Sequence, residues 1–301
     1  MNIIDEILRL KKEKNALILA HYYQNDEVQE IADYVGDSYY LSKIAKNSKE
    51  NTLVFCGVDF MAESAKILSP DKKVLIPVKE AGCLMADMVN AEGLLKLKEK
   101  YKDAAIVTYI NSSTEVKAIS DVIVTSSNAL KIVKNLPQKN IIFAPDKNLG
   151  EYISEHVTDK NIILWQGYCP IHEKIKEKSI ISFREEHPEA RVLVHPECSK
   201  KIRDLSHYIG STSGIISKVK ELSNKEILVV TEEGIFYELN KNNKDNKLYK
   251  TTEVMSCKDM KKINLESIYN CLLNEEFEIK IDEEIREKAY KALENMHELS
   301  K

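Results

Sequence analysis

A chain of 301 residues with 43% hydrophobic side chains can bury a large core and build one to three domains. Its 44 Lys and Arg against 48 Asp and Glu give a net charge of −4, with both signs mixed along the chain, so no nucleic-acid surface is expected. The longest apolar runs, such as Leu17–Ala20 and Ile162–Trp165, are strand-sized, so no membrane span is expected either.

The opening residues read as an amphipathic helix over 3–13, with Ile4, Ile7 and Leu8 on one side. They lack the basic start, apolar block and small-residue cleavage site of a signal peptide, and a cytoplasmic location is expected. Six cysteines without a CxxC pair point to metal binding or catalysis, and away from a zinc ribbon or a thioredoxin-like motif.

Next comes "ALILAHYYQ" (16–24), a strand-like run ending in polar residues; "AIVTYINSS" (105–113) and "RVLVHPECS" (191–199) repeat the type. Their leading site positions, His21, Tyr109 and His195, lie 88 and 86 residues apart. A small hydroxyl follows 17 residues after each: Ser38, Ser126 and Thr212. A second strand-like run ends about 36 residues after each, in "TLVFCGVDF", "IIFAPDKN" and "ILVVTEEG". A cysteine closes each unit 60 to 62 residues on: Cys83, Cys169 and Cys257.

Strands alternating with amphipathic segments such as "DFMAESAKIL", "NALKIVKNL" and "EGIFYELNK" predict βαβ units with parallel sheets. The fold expected is therefore α/β: three α/β/α layers related by pseudo-threefold symmetry, with parallel sheets around a central active site. The units run over 1–84 with 258–301, 85–170 and 171–257, and the closing helix "DEEIREKAYKALENMHEL" is expected to pack on the first unit. The lysine-rich "LNKNNKDNKLYK" (239–250) reads as an exposed hairpin or loop.

Ligands of parallel α/β sheets bind beyond the strand carboxyl ends, where all these polar residues fall. Ser38, Ser126 and Thr212 then sit near helix N-termini, where free N–H groups favour phosphate or carboxylate; each could equally be a simple N-cap. Cys83, Cys169 and Cys257 would meet at one end of the axis. Three thiolates there can hold three irons of a [4Fe–4S] cluster, or a zinc with an open position. Cys56, inside a strand, and Cys271, on a helix's apolar side, read as core residues. Cys198 is out of register with the three, aligning with Gln24 and Ser112, and is left out of the metal set.

Taken together, "AHYYQNDEVQEIADYVGDS", "GVDFMAESAKIL", "AGCLMAD", "YINSSTEVKAISDVIVTSSNA", "FAPDKNLGEYI", "GYCPIHE", "VHPEC", "GSTSG", "TEEGI" and "SCKDMKKINLESI" resemble the quinolinate synthase A family of NAD biosynthesis, from about residue 16 to residue 275. One departure is Tyr22, where other members often carry asparagine.

The resemblance implies an enzyme that condenses iminoaspartate with dihydroxyacetone phosphate to quinolinate, losing phosphate and two waters. It also implies a [4Fe–4S] cluster on Cys83, Cys169 and Cys257, with its open iron acting as a Lewis acid. An L-aspartate oxidase or aspartate dehydrogenase is the partner activity implied as the source of iminoaspartate.

By the same resemblance, Ser38, Ser126, Ser211, Thr212, Asn111, His21 and His195 bind substrate carboxylate or phosphate, Tyr109 and Glu197 also touch substrate, and His21 and His195 are expected to shuttle protons, since imidazole titrates near neutral pH. Tyr23 and Tyr109 hand over protons. Glu197 is the carboxylate beside the anion site; its pKa is expected to rise in a low-dielectric pocket, suiting it to general-base work. His172 is expected to orient the Cys169 loop or gate the cavity, and Asp37 to support the site from behind. Asp59 and Glu63 read as helix-start charges. Two other readings predict different chemistry: a three-cysteine zinc hydrolase or lyase, and a small-anion binding protein with a structural metal.

Overall fold

The computed structural model describes residues 2–301. The first layer runs α1 (Ile3–Glu13), β1 (Ala16–His21), α2 (Asp26–Ile31), β2 (Tyr34–Gly36), α3 (Ser38–Asn47), β3 (Thr52–Cys56), α4 (Asp59–Leu68) and β4 (Lys73–Leu75). The second runs α5 (Ala91–Lys100), β5 (Ala105–Tyr109), α6 (Thr114–Ala118), β6 (Val122–Val124), α7 (Ala129–Asn135), β7 (Asn140–Ala144), α8 (Lys147–His156) and β8 (Asn161–Leu164). The third runs α9 (Pro170–Glu173), α10 (Glu177–Glu186), β9 (Arg191–Val194), α11 (Lys200–Arg203), β10 (Tyr208–Ile209), α12 (Thr212–Glu221), β11 (Glu226–Val230), α13 (Ile235–Asn242) and β12 (Lys247–Tyr249). Two helices, α14 (Leu265–Asn274) and α15 (Glu283–Leu299), close the chain.

Each layer holds one four-stranded parallel sheet, and all three share one strand order: β2-β1-β3-β4, β6-β5-β7-β8 and β10-β9-β11-β12. The fold is thus α/β with three α/β/α layers, as the sequence pattern predicts. Helices on both faces explain why the central strands are apolar throughout, β1 being buried at every residue.

One hydrogen-bond device recurs with the period of the sequence. Ile18 N donates to Asp33 Oδ2 at 2.8 Å, Ile106 N to Asp121 Oδ2 at 2.7 Å, and Val192 N to His207 Nδ1 at 3.0 Å. The N–H groups of Asp33, Asp121 and His207 return to the carbonyls of Ile18, Ile106 and Val192 at 2.9, 2.9 and 2.8 Å. This two-way bond seats β2, β6 and β10 on the central strands β1, β5 and β9 and aligns their carboxyl ends.

A second device joins the layers in a ring. Gln29, Lys117 and Arg203 share one repeat position and are all buried. Each donates to a carbonyl of its own strand-end loop: Gln24 O, Ser112 O and Cys198 O. Each also faces a neighbouring layer. Gln29 Nε2 donates to Gly234 O at 3.0 Å, and Arg203 donates to Asn148 O at 3.1 Å and to Glu151 at 3.0 Å. The Lys117 ammonium lies 5.5 Å from the Phe60 ring centre and within the field of Glu63 and Asp59. Thus the first layer reaches the third, the second reaches the first, and the third reaches the second.

Two expectations change here. The closing helix α15 does not pack on the first unit alone: it lies against α4 of the first layer and against α6, α7 and β6 of the second. Arg286 donates to Ile67 O at 3.3 Å and Asn295 to Asp121 O at 2.8 Å, so its polar side chains bond to both layers. Residues 239–250 form no hairpin; they are the end of α13, a turn, and β12, an edge strand parallel to β11. The exposed Lys247 on that edge disfavours pairing with another chain. Among the described residues no helix is long and apolar enough to cross a membrane.

Burial depresses Lys117 from the usual 10.5 to about 8, with Glu63 and Asp59 opposing that shift. The folded protein therefore binds this proton less tightly than the unfolded chain, so stability should rise with pH between about 8 and 10.5. Lys117→Met should remove that slope, worth at most about 3 kcal/mol. Urea unfolding of both proteins across this range checks it; parallel pH profiles would refute it.

Candidate active site and metal centre

The carboxyl ends of the three sheets border one cavity of about 430 Å3. His21 and Tyr23 reach it from the end of β1, Tyr109 and Asn111 from β5, and His195 and Glu197 from β9. Asp37 and Ser38 contribute from the start of α3, Ser126 from the turn before α7, and Thr212 from the start of α12. Cys83, Cys169 and Cys257 line it too, each from the loop after its sheet.

Ser211 is the one predicted site residue that does not line the cavity. Its hydroxyl instead accepts from Gly214 N at 3.2 Å as the N-cap of α12. In the first layer Asp37 is the cap, accepting from Tyr40 N at 2.9 Å and from Ser213 Oγ at 2.6 Å. Ser38 and Thr212 are thus one residue past the cap, with capping done by their neighbours. Asp59 opens α4, its carboxylate bonded to Phe60 N at 2.7 Å, while Glu63 accepts from Thr114 Oγ1 at 2.8 Å.

His21 and His195 are held alike. The backbone N–H two residues on, at Tyr23 and Glu197, donates to Nδ1 at 3.1 and 3.3 Å. The proton of each neutral ring therefore sits on Nε2. Burial pulls His21 down to about 3 and His195 to about 4, against the raising effect of Glu197, so the expectation that these rings titrate near neutral pH and shuttle protons there is corrected.

Glu197 is the centre of the polar network. Tyr109 Oη donates to its Oε1 at 2.6 Å and His172 Nδ1 to its Oε2 at 2.8 Å. Burial raises this carboxyl, but the nearby His172 and His195 whenever they are protonated, and the hydrogen bonds from His172 and Tyr109, outweigh it, and Glu197 is held below the usual carboxylate range. The expected rise in its pKa is therefore corrected: the sequence showed the low-dielectric pocket but not the donors brought from two layers. Burial, with the Glu197 charge added, keeps Tyr23 and Tyr109 protonated far above 10.

His172 sits deeper in the chemistry than its sequence position suggests. Its Nδ1 lies 3.2 Å from Cys169 Sγ, its Nε2 2.9 Å from Thr231 Oγ1, and its ring stacks on His195 with centres 4.9 Å apart. Thr231 Oγ1 is 2.8 Å from Tyr23 Oη, which is 2.8 Å from Thr212 Oγ1. With the His172 ring neutral, one direction satisfies every member: Thr212 donates to Tyr23, Tyr23 to Thr231, Thr231 to His172, and His172 to Glu197. This hydrogen-bonded line crosses between the first and third layers, and Tyr109 joins it from the second. Thr231 and Glu232 were missed as site residues; their signal was the strand end 36 residues after His195.

The three cysteines share one local geometry. The carbonyls of Cys83, Cys169 and Cys257 accept from the N–H four residues on at 3.1, 2.9 and 3.1 Å. The N–H groups of Ala86, His172 and Met260, three residues on, face the sulfurs and favour their charged form. Burial opposes them, raising Cys83 to about 12 and lifting the other two thiols; Cys83 also feels the charge of Cys257, and Cys169 that of Cys83. Three thiols that line one cavity, each faced by a backbone N–H, form a donor set that fits a metal group, whose positive charge would favour their ionised form. Cys169, His172 and Glu197 also bring ligand atoms within 4.8 Å of one another, a set that could hold a single ion. Cys198 lies away from the cavity in an apolar cluster, its thiol directed at Val230 O at 3.8 Å; Cys56 and Cys271 share another cluster.

The quinolinate synthetase A protein family model matches residues 5–298. The chain belongs to the quinolinate synthase family. A quinolinate synthase of Clostridium perfringens (strain 13 / Type A) is 58% identical over 299 residues, 99% of both chains. One from Clostridioides difficile (strain 630) is 56% identical over 295 residues, 98% of this chain and 97% of the relative. One from Caldicellulosiruptor saccharolyticus is 54% identical over the same length, with the same coverage. This chain is an enzyme of that family, and its cavity with three thiols is the candidate active site.

Both His21 and His195 should stay neutral from pH 8 down to pH 5, given values of about 3 and 4. Imidazole nitrogen shifts recorded by NMR on the metal-free protein report this; a protonation midpoint above pH 6 for either would contradict the geometry.

Proposed function

We propose that this chain condenses iminoaspartate with dihydroxyacetone phosphate, releasing phosphate and two waters and forming quinolinate for NAD biosynthesis. The observation that carries the reading is the convergence of three like-built cysteine turns on the cavity that also holds the histidine, tyrosine and glutamate side chains. Cys83, Cys169 and Cys257 would hold a [4Fe–4S] cluster with one open iron. When bound, that cluster supplies a Lewis acid for a carboxylate or a leaving hydroxyl in a redox-neutral reaction.

The chain's own residues supply the rest. Ser38, Ser126 and Thr212, beside helix N-termini, receive carboxylate and phosphate oxygens, with Asn111 as a further neutral donor. Ser211 supports that group as the α12 cap. The Nε2–H groups of His21 and His195 add donors that carry no charge of their own. Tyr23 and Tyr109 hold protons that burial prevents them from losing to solvent, which suits them to donate to departing oxygens. Glu197 rests as the ionised acceptor of His172 and Tyr109, which orients both side chains and offers a path along which a proton can pass. The unit boundaries, a cytoplasmic location and supply of iminoaspartate by an L-aspartate oxidase or aspartate dehydrogenase belong to the same proposal.

Anaerobic reconstitution with iron and sulfide, followed by assay for quinolinate from the two substrates, tests the reading. A brown protein is expected. Serine at Cys83, Cys169 or Cys257 should abolish both colour and turnover, whereas Cys198→Ser should keep both. Turnover by metal-stripped protein at the reconstituted rate would refute the Lewis-acid role. For Glu197→Gln, a fall in kcat of at least about a hundredfold with little change in KM is expected; unchanged kcat would remove Glu197 from the proton path.

A further inference from the structure

Two of the three cysteine turns are tied to the pocket loop of a neighbouring layer, and the ties occupy corresponding places. On the turn that follows the third layer's sheet, Lys261 stands four residues after Cys257 and its N–H donates to Cys257 O at 3.1 Å. Its Nζ donates to Tyr23 O at 2.8 Å and to Gln24 O at 3.2 Å, in the first layer. The same ammonium lies 3.5 Å from Glu232 Oε1, which accepts Cys257 N at 3.0 Å. Gly234 N donates to Glu232 Oε2 at 2.6 Å. Gly234 has no room for a side chain: a Cβ there would lie 2.7 Å from the Tyr23 backbone and 2.8 Å from Lys261 Nζ.

On the turn that follows the second layer's sheet, Glu173 stands four residues after Cys169 and its N–H donates to Cys169 O at 2.9 Å. Its carboxylate accepts Lys147 Nζ at 2.9 Å and Asn148 Nδ2 at 2.8 Å. That amide also donates to Glu197 O at 3.0 Å, in the third layer. Tyr23 and Glu197 hold the same position, two residues after His21 and His195. Two different side-chain sets, one cationic and one built on an amide, therefore end on equivalent carbonyls. Among the described residues, Asp87, the counterpart after Cys83, makes no such bond to the second layer.

We propose that Lys261 with Glu232, and Asn148 with Glu173, are latches: positioning residues that pass the seating of the metal group on Cys257 and Cys169 to the Tyr23 and Glu197 loops. Each latch acts on its own loop. When its cysteine turn is loaded, the turn is fixed, and the latch fixes the carbonyl under the pocket side chain. The inference rests on the iron–sulfur reading above.

Hydrogen–deuterium exchange of the iron-free and reconstituted protein tests it, alongside bound iron and turnover. In the wild type, loading should slow exchange at residues 22–25 and at 196–199. Lys261→Met should keep its iron and lose the slowing at 22–25 only; Asn148→Ala should lose it at 196–199 only. Lys261→Arg, which keeps a charged donor, should restore it. kcat of Lys261→Met should fall about tenfold, the scale of one lost charged hydrogen bond.

Slowing that persists at both loops in Lys261→Met, or that disappears at both together as general loosening would produce, overturns the latches. So does a wild type whose exchange ignores loading while it binds iron and turns over. A wild type that binds no iron overturns the iron–sulfur reading itself, and the latches with it.

Discussion

A parallel sheet leaves the loops at its strand carboxyl ends without a ladder partner, and this fold brings three such ends face to face. Their backbone carbonyls would be buried unpaired, at a cost of about 1–3 kcal/mol each. Gln29, Lys117 and Arg203 answer that need by carrying donors inward to Gln24 O, Ser112 O and Cys198 O. Because the same side chains also reach the neighbouring layer, satisfying the loops and joining the layers are one act. The cavity exists because that junction holds the loops apart from one another while leaving their side chains pointed inward.

Within the cavity, Glu197 is tolerable as a buried charge because its two oxygens accept hydrogen bonds from Tyr109 and His172. Tyr109 comes from a different layer, so the ionised state of Glu197 depends on the three-layer packing and not on its own loop. The same holds for the tyrosine of the first layer, whose hydroxyl is placed by Thr212 and Thr231 of the third.

Much of this was legible in the sequence because the repeat is a repeat of strand ends. A constant interval between His21, Tyr109 and His195 marks equivalent backbone positions, and the cysteines at 60 to 62 residues further on mark equivalent turns. What stayed hidden depends on partners that the interval cannot show. The pKa direction of Glu197 turns on a tyrosine from another layer and on a histidine remote in sequence. His172 reads as a loop residue because its contacts with Thr231 and Glu197 are tertiary. Ser211 and Thr212 are adjacent hydroxyls, and only backbone geometry tells which one caps α12 and which one faces the cavity. The closing helix α15 is amphipathic whichever layer it covers, so its seat across two layers was beyond the reach of pattern.

The ring of side chains at one repeat position has a consequence for descent. Glutamine, lysine and arginine now stand where a threefold ancestor would have carried a single residue type, and each faces a different neighbour. A change in one copy alters the surface met by the next, so substitutions at the three positions should couple energetically. Their present dissimilarity is a matched set, and a layer transplanted into another's place would bring the wrong donor to both of its seams.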